Sequence, residues 1–330
     1  MKFADFKTFC ESKDYLYDLF KRNELCIAEG SLCDVCKAST YKKQRRKIAQ
    51  VGFVLKCSGK TCRSEKSVIK NSFFNNNKLS KLTFLAGAFI KNKPISMVIE
   101  DTGFNEKTVY KYFNYFRSKC AENLDFSNFQ LGGQGIEVEI DETHLFTRKY
   151  HGGNVLASES VWIFGILERN SKRVYLEAVP RRDGTTLYYI LNTRLSPGTR
   201  VFSDSWRGYN IIRQNFEVSS VNHRLLFVDP NDSNIHTNNI KRLWRTLKNN
   251  MRGCQVNNYN IHLKEFMFRR YFFNDSFEFN LNLFIKLIHS SFYVHFIKFL
   301  FIFILFFYIL FIYLIYLFFL ISIFFKKMSE

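Results

Sequence analysis

IEVEIDETHLF, residues 136–146, decides the fold. Ile136, Val138 and Ile140 alternate with Glu137, Glu139 and Asp141, the two-residue period of a strand. One face of that strand is apolar. The other bears three carboxylates.

Downstream, VWIFGILERNSKRVYLEAVP (161–180) reads as two apolar strands around RNSK, with Asn170 as a turn residue. DGTTLYYILNTRL (183–195) predicts a helix capped near Thr185, and TRVFSDSWRGY (199–209) a short strand ending at Asp204. SSVNHRLLFVDP predicts another strand. In HTNNIKRLWRTLKNNMRG (236–253), Ile240, Leu243, Trp244, Leu247 and Met251 recur at helical spacing, with Trp244 as a core anchor. Strand, hairpin, helix, strand, strand, helix suits an α+β domain of the ribonuclease H type over residues 135–273.

Upstream, CDVC (33–36) and CSGKTC (57–62) are two close cysteine pairs around the basic stretch YKKQRRK. Thiolates so spaced close a tetrahedron around zinc without a large core. The alternative is four unliganded buried cysteines. Cys10 and Cys26 read as core residues or spare thiols. The basic run is a solvated loop or a phosphate contact. This zinc-ribbon-like module occupies residues 1–75. In residues 78–122, Pro94 sits near a helix start, Gly103 marks a turn and Asn105 caps the helix that follows. Val109, Phe113, Phe116 and Cys120 line its inner side; Lys107, Thr108 and Lys111 lie outside. That is a helix-turn-helix pattern, which ordinary helical hairpins also produce.

The chain of 330 residues carries 48 Lys and Arg against 29 Asp and Glu, a formal charge of +19. This favours a polyanionic partner, nucleic acid first and an anionic membrane surface second. Six of eight cysteines fall in the first 62 residues, which fits a reducing compartment better than a disulfide scaffold. Residues 274–330 form a divergent tail. Within it, FLFIFILFFYILFIYLIYLFFLISIFF (299–325) has no formal charge and is long enough to cross a bilayer, predicting a transmembrane helix. The alternative is a decayed low-complexity segment.

Asp141 and Asp204 are the leading catalytic pair. A divalent cation keeps two adjacent carboxylates ionised and serves phosphodiester chemistry. Alternatively each aspartate caps a turn or pairs with an arginine, Arg207 for Asp204.

VEIDET, VFSDSWRGY, VNH, HTNNIKRLWRTLK and HLKEFMFRR, following the cysteine pairs and the helix-turn-helix, resemble the Merlin-type DDE transposases and the related bacterial insertion-sequence (ISXO-like) transposases over about residues 30–273. The resemblance implies a ribonuclease H-like core, magnesium- or manganese-dependent DNA cleavage and strand transfer, and recognition of terminal inverted repeats in double-stranded DNA. It also implies a homo-oligomer on DNA and a nuclear location. By motif, Asp141 and Asp204 are the first two catalytic carboxylates. The third falls at Lys241, seven residues before the family's lysine, here Lys248. An ammonium repels a cation and cannot ligate while protonated. Asn238, His236 and Asp232 are candidate substitute ligands. Asp229 is a further nearby carboxylate, whereas Glu142 is expected to point away. His223 in VNH is either near the active centre or structural. Arg245 and Lys248 are expected to contact DNA, and Arg269 and Arg270 to pair with Glu265 or touch DNA. The 299–325 segment leaves membrane attachment as the alternative location and partner.

Overall fold

The computed structural model describes residues 3–45, 47, 49–69, 73–74, 78–124, 130–145, 161–221, 234–251 and 259–289. It divides into two compact units, residues 1–110 with 277–330, and residues 111–276.

In the first unit, helices α1 (Phe3–Glu11) and α2 (Lys13–Arg22) precede a three-stranded antiparallel sheet. Its strands are β1 (Thr40–Gln44), β2 (Phe53–Cys57) and β3 (Glu65–Ser67), with Thr40 opposite Cys57. The hairpin expected around the basic run is therefore present. Helices α3 (Leu79–Ile90) and α4 (Ile95–Thr102) follow, and α5 (Glu106–Glu122) continues into the second unit. Gly103 ends α4 at φ 65°, a left-handed conformation that glycine adopts without strain. Asn105 Oδ1 accepts the Thr108 amide at 2.8 Å, capping α5. Val109, Phe113, Phe116 and Cys120 are all buried. Residues 277–289, read from sequence only as part of a tail, are helical and bury Phe277, Leu281, Phe284, Ile285 and Ile288. Phe277 stands edge-on to Phe6 at 5.0 Å, and Phe284 stacks on Phe89 at 5.3 Å.

The expected transmembrane helix is corrected. No helix among the described residues is long and apolar enough to cross a membrane. The most apolar of them, α3, has 12 residues, against about 20 needed to span the hydrocarbon core. Residues 299–325 themselves lie outside the described residues.

The second unit is built on a five-stranded sheet in the order β10-β9-β5-β6-β7. β5 (Glu137–His144), β6 (Trp162–Glu168) and β7 (Val174–Val179) form an antiparallel meander. β9 (Arg200–Asp204) and β10 (Glu217–Val221) run parallel to β5 on its other side. Short β4 (Leu131–Gly132) and β8 (Leu195–Ser196) pair separately. The central strand, three strands of one sense and a meander on the opposite side are a ribonuclease H-like arrangement. Helix α6 (Gly184–Arg194) and a 3-10 helix (Arg207–Gln214) cover one face, packing on Val138, Ile140, Phe164, Ile166 and Val201. Helices α7 (Asn238–Asn250) and α8 (Tyr259–Phe272) cover the other, through Ile240, Leu243, Trp244, Leu247 and Met267 against Ile163, Leu167 and Leu176. The α6 cap is Asp183 rather than Thr185. Its carboxylate accepts the Thr186 amide at 2.9 Å, because a carboxylate is the stronger acceptor for a free helix amide.

Candidate active site

The alternation in IEVEIDETHLF sets which side chains meet which helix. Glu137, Glu139 and Asp141 face α7. Glu139 is fully buried and accepts the Ile240 amide (2.9 Å), Asn239 Nδ2 (2.7 Å) and Arg169 Nε (3.0 Å). The α7 N-cap, Thr237, makes no side-chain capping bond, so Glu139 supplies an acceptor from across the fold. Arg169 also donates to Glu137 at 3.0 Å and to the His236 carbonyl at 2.7 Å, and stacks 3.8 Å over Phe202.

Two residues along, Asp141 Oδ2 accepts Trp244 Nε1–H at 3.1 Å. The indole lies over Gly165, Asp141's antiparallel partner, where any Cβ would overlap the ring. The parallel register pairs Glu137 with Arg200 and Glu139 with Phe202; continued for two residues, it sets Asp141 level with Asp204. Burial pushes the Asp141 carboxyl up to about 6, and Asp204 adds to the rise; the Trp244 bond and the Lys241 ammonium oppose it. Asp141, Asp204 and Lys241 therefore meet at one place, drawn from β5, the end of β9 and α7. Asp204 Oδ1 accepts the Trp206 amide at 3.1 Å. Among the described residues no ion pair joins Asp204 to Arg207.

The other expected residues divide. His236 Nδ1 lies 3.4 Å from Glu139, and the Asn238 amide faces His236 at 3.4 Å, so the contacts of His236 run to Glu139. Asp232, Asp229 and His223 lie outside the described residues. Arg245 and Lys248 are exposed on α7; Lys107 and Lys111 are exposed on α5, with Thr108 half-buried. Glu265 pairs with Arg269 at 2.8 Å and with Arg117 at 2.9 Å, whereas Arg270 donates to the Lys172 carbonyl and not to Glu265. Glu142, on the opposite face of β5 from Asp141, accepts Tyr209 Oη–H at 2.5 Å and pairs with Arg182 at 3.2 Å. Sequence reading singled out the two aspartates that the register sets level, but not Glu139, Arg169, Arg182 or Tyr209 around them. A carboxylate repeated with period two on an otherwise buried strand was the available signal for Glu139.

A family model described as the ISXO2-like transposase domain matches residues 130–271. Residues 130–271 are an ISXO2-like transposase domain. The match begins after the cysteine module and α5, so it covers the sheet, α7 and α8 but not the upstream part of the resemblance. No curated protein matches the chain. Among solved structures, a chain of a simian T-cell lymphotropic virus intasome in complex with PP2A regulatory subunit B56 gamma aligns at 12% identity and a TM-score of 0.26. That alignment covers 54% of this chain and 66% of that one. The likeness is too slight to argue from. The assignment of the transposase domain rests on the family match.

The first unit holds a second cluster. The sulfurs of Cys33, Cys36, Cys57 and Cys62 all lie within 4.8 Å of one another. Cys33 and Cys62 are 3.7 Å apart, Cys36 and Cys57 3.3 Å. A zinc–sulfur bond of about 2.3 Å gives a tetrahedron edge of about 3.8 Å, so the cluster has the geometry of a structural zinc site. The Gly59 amide donates to Cys57 Sγ at 3.2 Å, and a Cβ on Gly59 would crowd Cys36 and Cys57 at 3.3 Å. Each pair ends in a left-handed residue, Lys37 (φ 62°) after Cys36 and Arg63 (φ 48°) after Cys62, which folds the chain back around the sulfurs. The Ser64 hydroxyl draws the Cys33 thiol down to about 6 and lowers that of Cys62; the Gly59 amide also lowers Cys57, but hydrogen bonds among the sulfurs and burial carry that thiol up to about 12, so the protons are shared unequally among the four.

Proposed function

We propose that this chain is a transposase-derived protein that binds specific double-stranded DNA, the terminal inverted repeats of an element, with a catalytic centre impaired by Lys241. One observation carries the reading: in a transposase domain, the strand register sets Asp141 level with Asp204 against α7, the helix that bears Lys241. Asp141 and Asp204 would hold a magnesium or manganese ion, which supplies Lewis acidity for phosphodiester cleavage and strand transfer. Their mutual repulsion and the raised Asp141 fit a pair that a cation would relieve. Lys241 offers charge in place of a ligand and lowers the affinity of the pair for that cation.

The zinc-type cluster stiffens the first unit, and α4, the Gly103 turn and α5 act as a helix-turn-helix presenting Lys107, Thr108 and Lys111. Arg245 and Lys248 hold DNA backbone near the carboxylates. Joining two DNA ends calls for a homo-oligomer on DNA, and the reading places the protein in the nucleus.

The test selects binding sequences from a random duplex pool with the full chain. It then measures cleavage of the enriched duplex with magnesium or manganese by the unaltered protein, Lys241→Glu, and Lys241→Glu with Asp141→Ala. Weak cleavage by the first, gain in the second and loss in the third are expected. Strong cleavage by the unaltered protein that Asp141→Ala abolishes would reject the role given to Lys241, and a pool with no enriched sequence would reject specific binding.

A further inference from the structure

Behind the aspartate pair lies a closed circuit of contacts that neither catalysis nor core packing by itself explains. Glu142, next to Asp141 on β5, is buried against Tyr209 and Arg182. The Arg182 guanidinium lies 4.6 Å over Trp206 and 5.4 Å from Trp162. Trp206 stands edge-on to Tyr209 at 5.3 Å. Its amide returns to Asp204. Only glycine fits at position 208, because a Cβ on Gly208 would overlap the Trp206 ring. Each of Asp204, Trp206, Gly208 and Tyr209 in DSWRGY thus has a place in one loop that starts at Asp204 and ends on the neighbour of Asp141.

We infer that Glu142, Tyr209 and Arg182 are positioning residues that latch the Asp204 turn to β5 and so hold Asp204 beside Asp141. The parallel pairing of β5 with β9 stops at Glu139 and Phe202, two residues short of the aspartates. Backbone hydrogen bonds therefore do not hold the two carboxylates together. Two like charges at the open end of a parallel pair repel, and the strand ends part unless something else joins them. The latch supplies that join through side chains on the opposite face of the sheet from α7, whose Trp244 bonds Asp141. A buried carboxylate is retained here because a phenol and a guanidinium satisfy both of its oxygens. The inference rests on reading Asp141 and Asp204 as a functional pair, but its geometry is independent of whether the pair cleaves DNA.

The experiment follows the Asp141 carboxyl by carbon NMR in full-length protein labelled at aspartate. Asp204→Asn is made in three backgrounds: unaltered, Tyr209→Phe and Glu142→Gln. With the latch intact, removing the Asp204 charge lowers the Asp141 midpoint. With the latch broken, that shift falls to less than half, because Asp204 is no longer held at its side. Tyr209→Phe removes one hydroxyl and keeps the ring, so it preserves packing, and thermal unfolding confirms a folded chain. Glu142→Gln keeps the shape and the hydrogen-bonding reach while removing the charge that Arg182 answers. A shift of equal size in all three backgrounds overturns the latch. Lys241→Glu with no cleavage, alongside a latch-dependent shift, would instead overturn the catalytic reading and leave the latch standing.

Discussion

Asp141 concentrates the conflict between stability and function. Burial raises its carboxyl to about 6, so the folded state binds a proton more tightly than the unfolded chain does. Stability from this residue is fully present below the unfolded carboxylate range near pH 4, declines as pH rises towards 6, and is flat above. Asp141→Asn keeps an acceptor for Trp244 and removes the buried charge. It should therefore stabilise the fold at pH 7, by roughly 1–3 kcal/mol, with the gain gone below about pH 4. Denaturant unfolding across that range checks it; a loss at pH 7 would mean the charge is already compensated. The type and face of Asp141 were legible in the alternation of IEVEIDETHLF. Its neighbour was not. Asp204 lies 63 residues away by the pairing of Glu137 with Arg200, and no local pattern encodes a register between separated strands. The family resemblance linked the two aspartates, and the transposase-domain match spans both positions.

At the scale of elements, α7 owes its place to β5. Its apolar stripe was readable as a helix packed on something, and Ile240, Leu243, Trp244 and Leu247 are indeed buried on the sheet. What fixes its phase is Glu139, a residue that periodicity assigns to a face and nothing more. Glu139→Ala would leave Arg169 and the first turn of α7 without their acceptor, and should cost about 3–5 kcal/mol, the scale for breaking a buried charge pair. Glu139→Gln should cost less, because the amide oxygen still accepts the Ile240 N–H. Unfolding of the two variants by urea, followed at the Trp244 fluorescence, measures both; equal stabilities would show that packing alone seats the helix. The cysteine module is the opposite case. Two cysteine pairs were readable outright, and the sulfurs converge as their spacing implied. Metal analysis of purified chain should find one zinc, and Cys33→Ser or chelation should unfold the first unit's sheet while the transposase domain keeps its cooperative transition. A stoichiometry near zero with an unchanged sheet would remove zinc from the account.

Over the whole molecule, the net charge of +19 predicts binding to any duplex, and charge alone cannot distinguish a reader of sequence from a general polycation. The two sets of basic residues differ in what they should do. Lys107 and Lys111 project from the helix that follows the Gly103 turn, whereas Arg245 and Lys248 project from the helix beside the aspartates. If α5 reads base edges, Lys107→Ala with Lys111→Ala should shrink the affinity ratio between the selected duplex and a scrambled one. If Arg245 and Lys248 hold backbone phosphates, replacing both by alanine should weaken the two duplexes alike and leave the ratio unchanged. It should also lower the slope of log affinity against log salt by about 2, since each side chain neutralises one phosphate. Titrations by fluorescence anisotropy between about 50 and 200 mM salt span the range in which such neutralisation changes affinity most visibly. Should the α7 pair alter the ratio and the α5 pair only the slope, recognition would belong to the transposase domain and α5 would be a phosphate clamp. Equal effects on ratio and slope from both pairs would mean that neither helix has the separate role given to it.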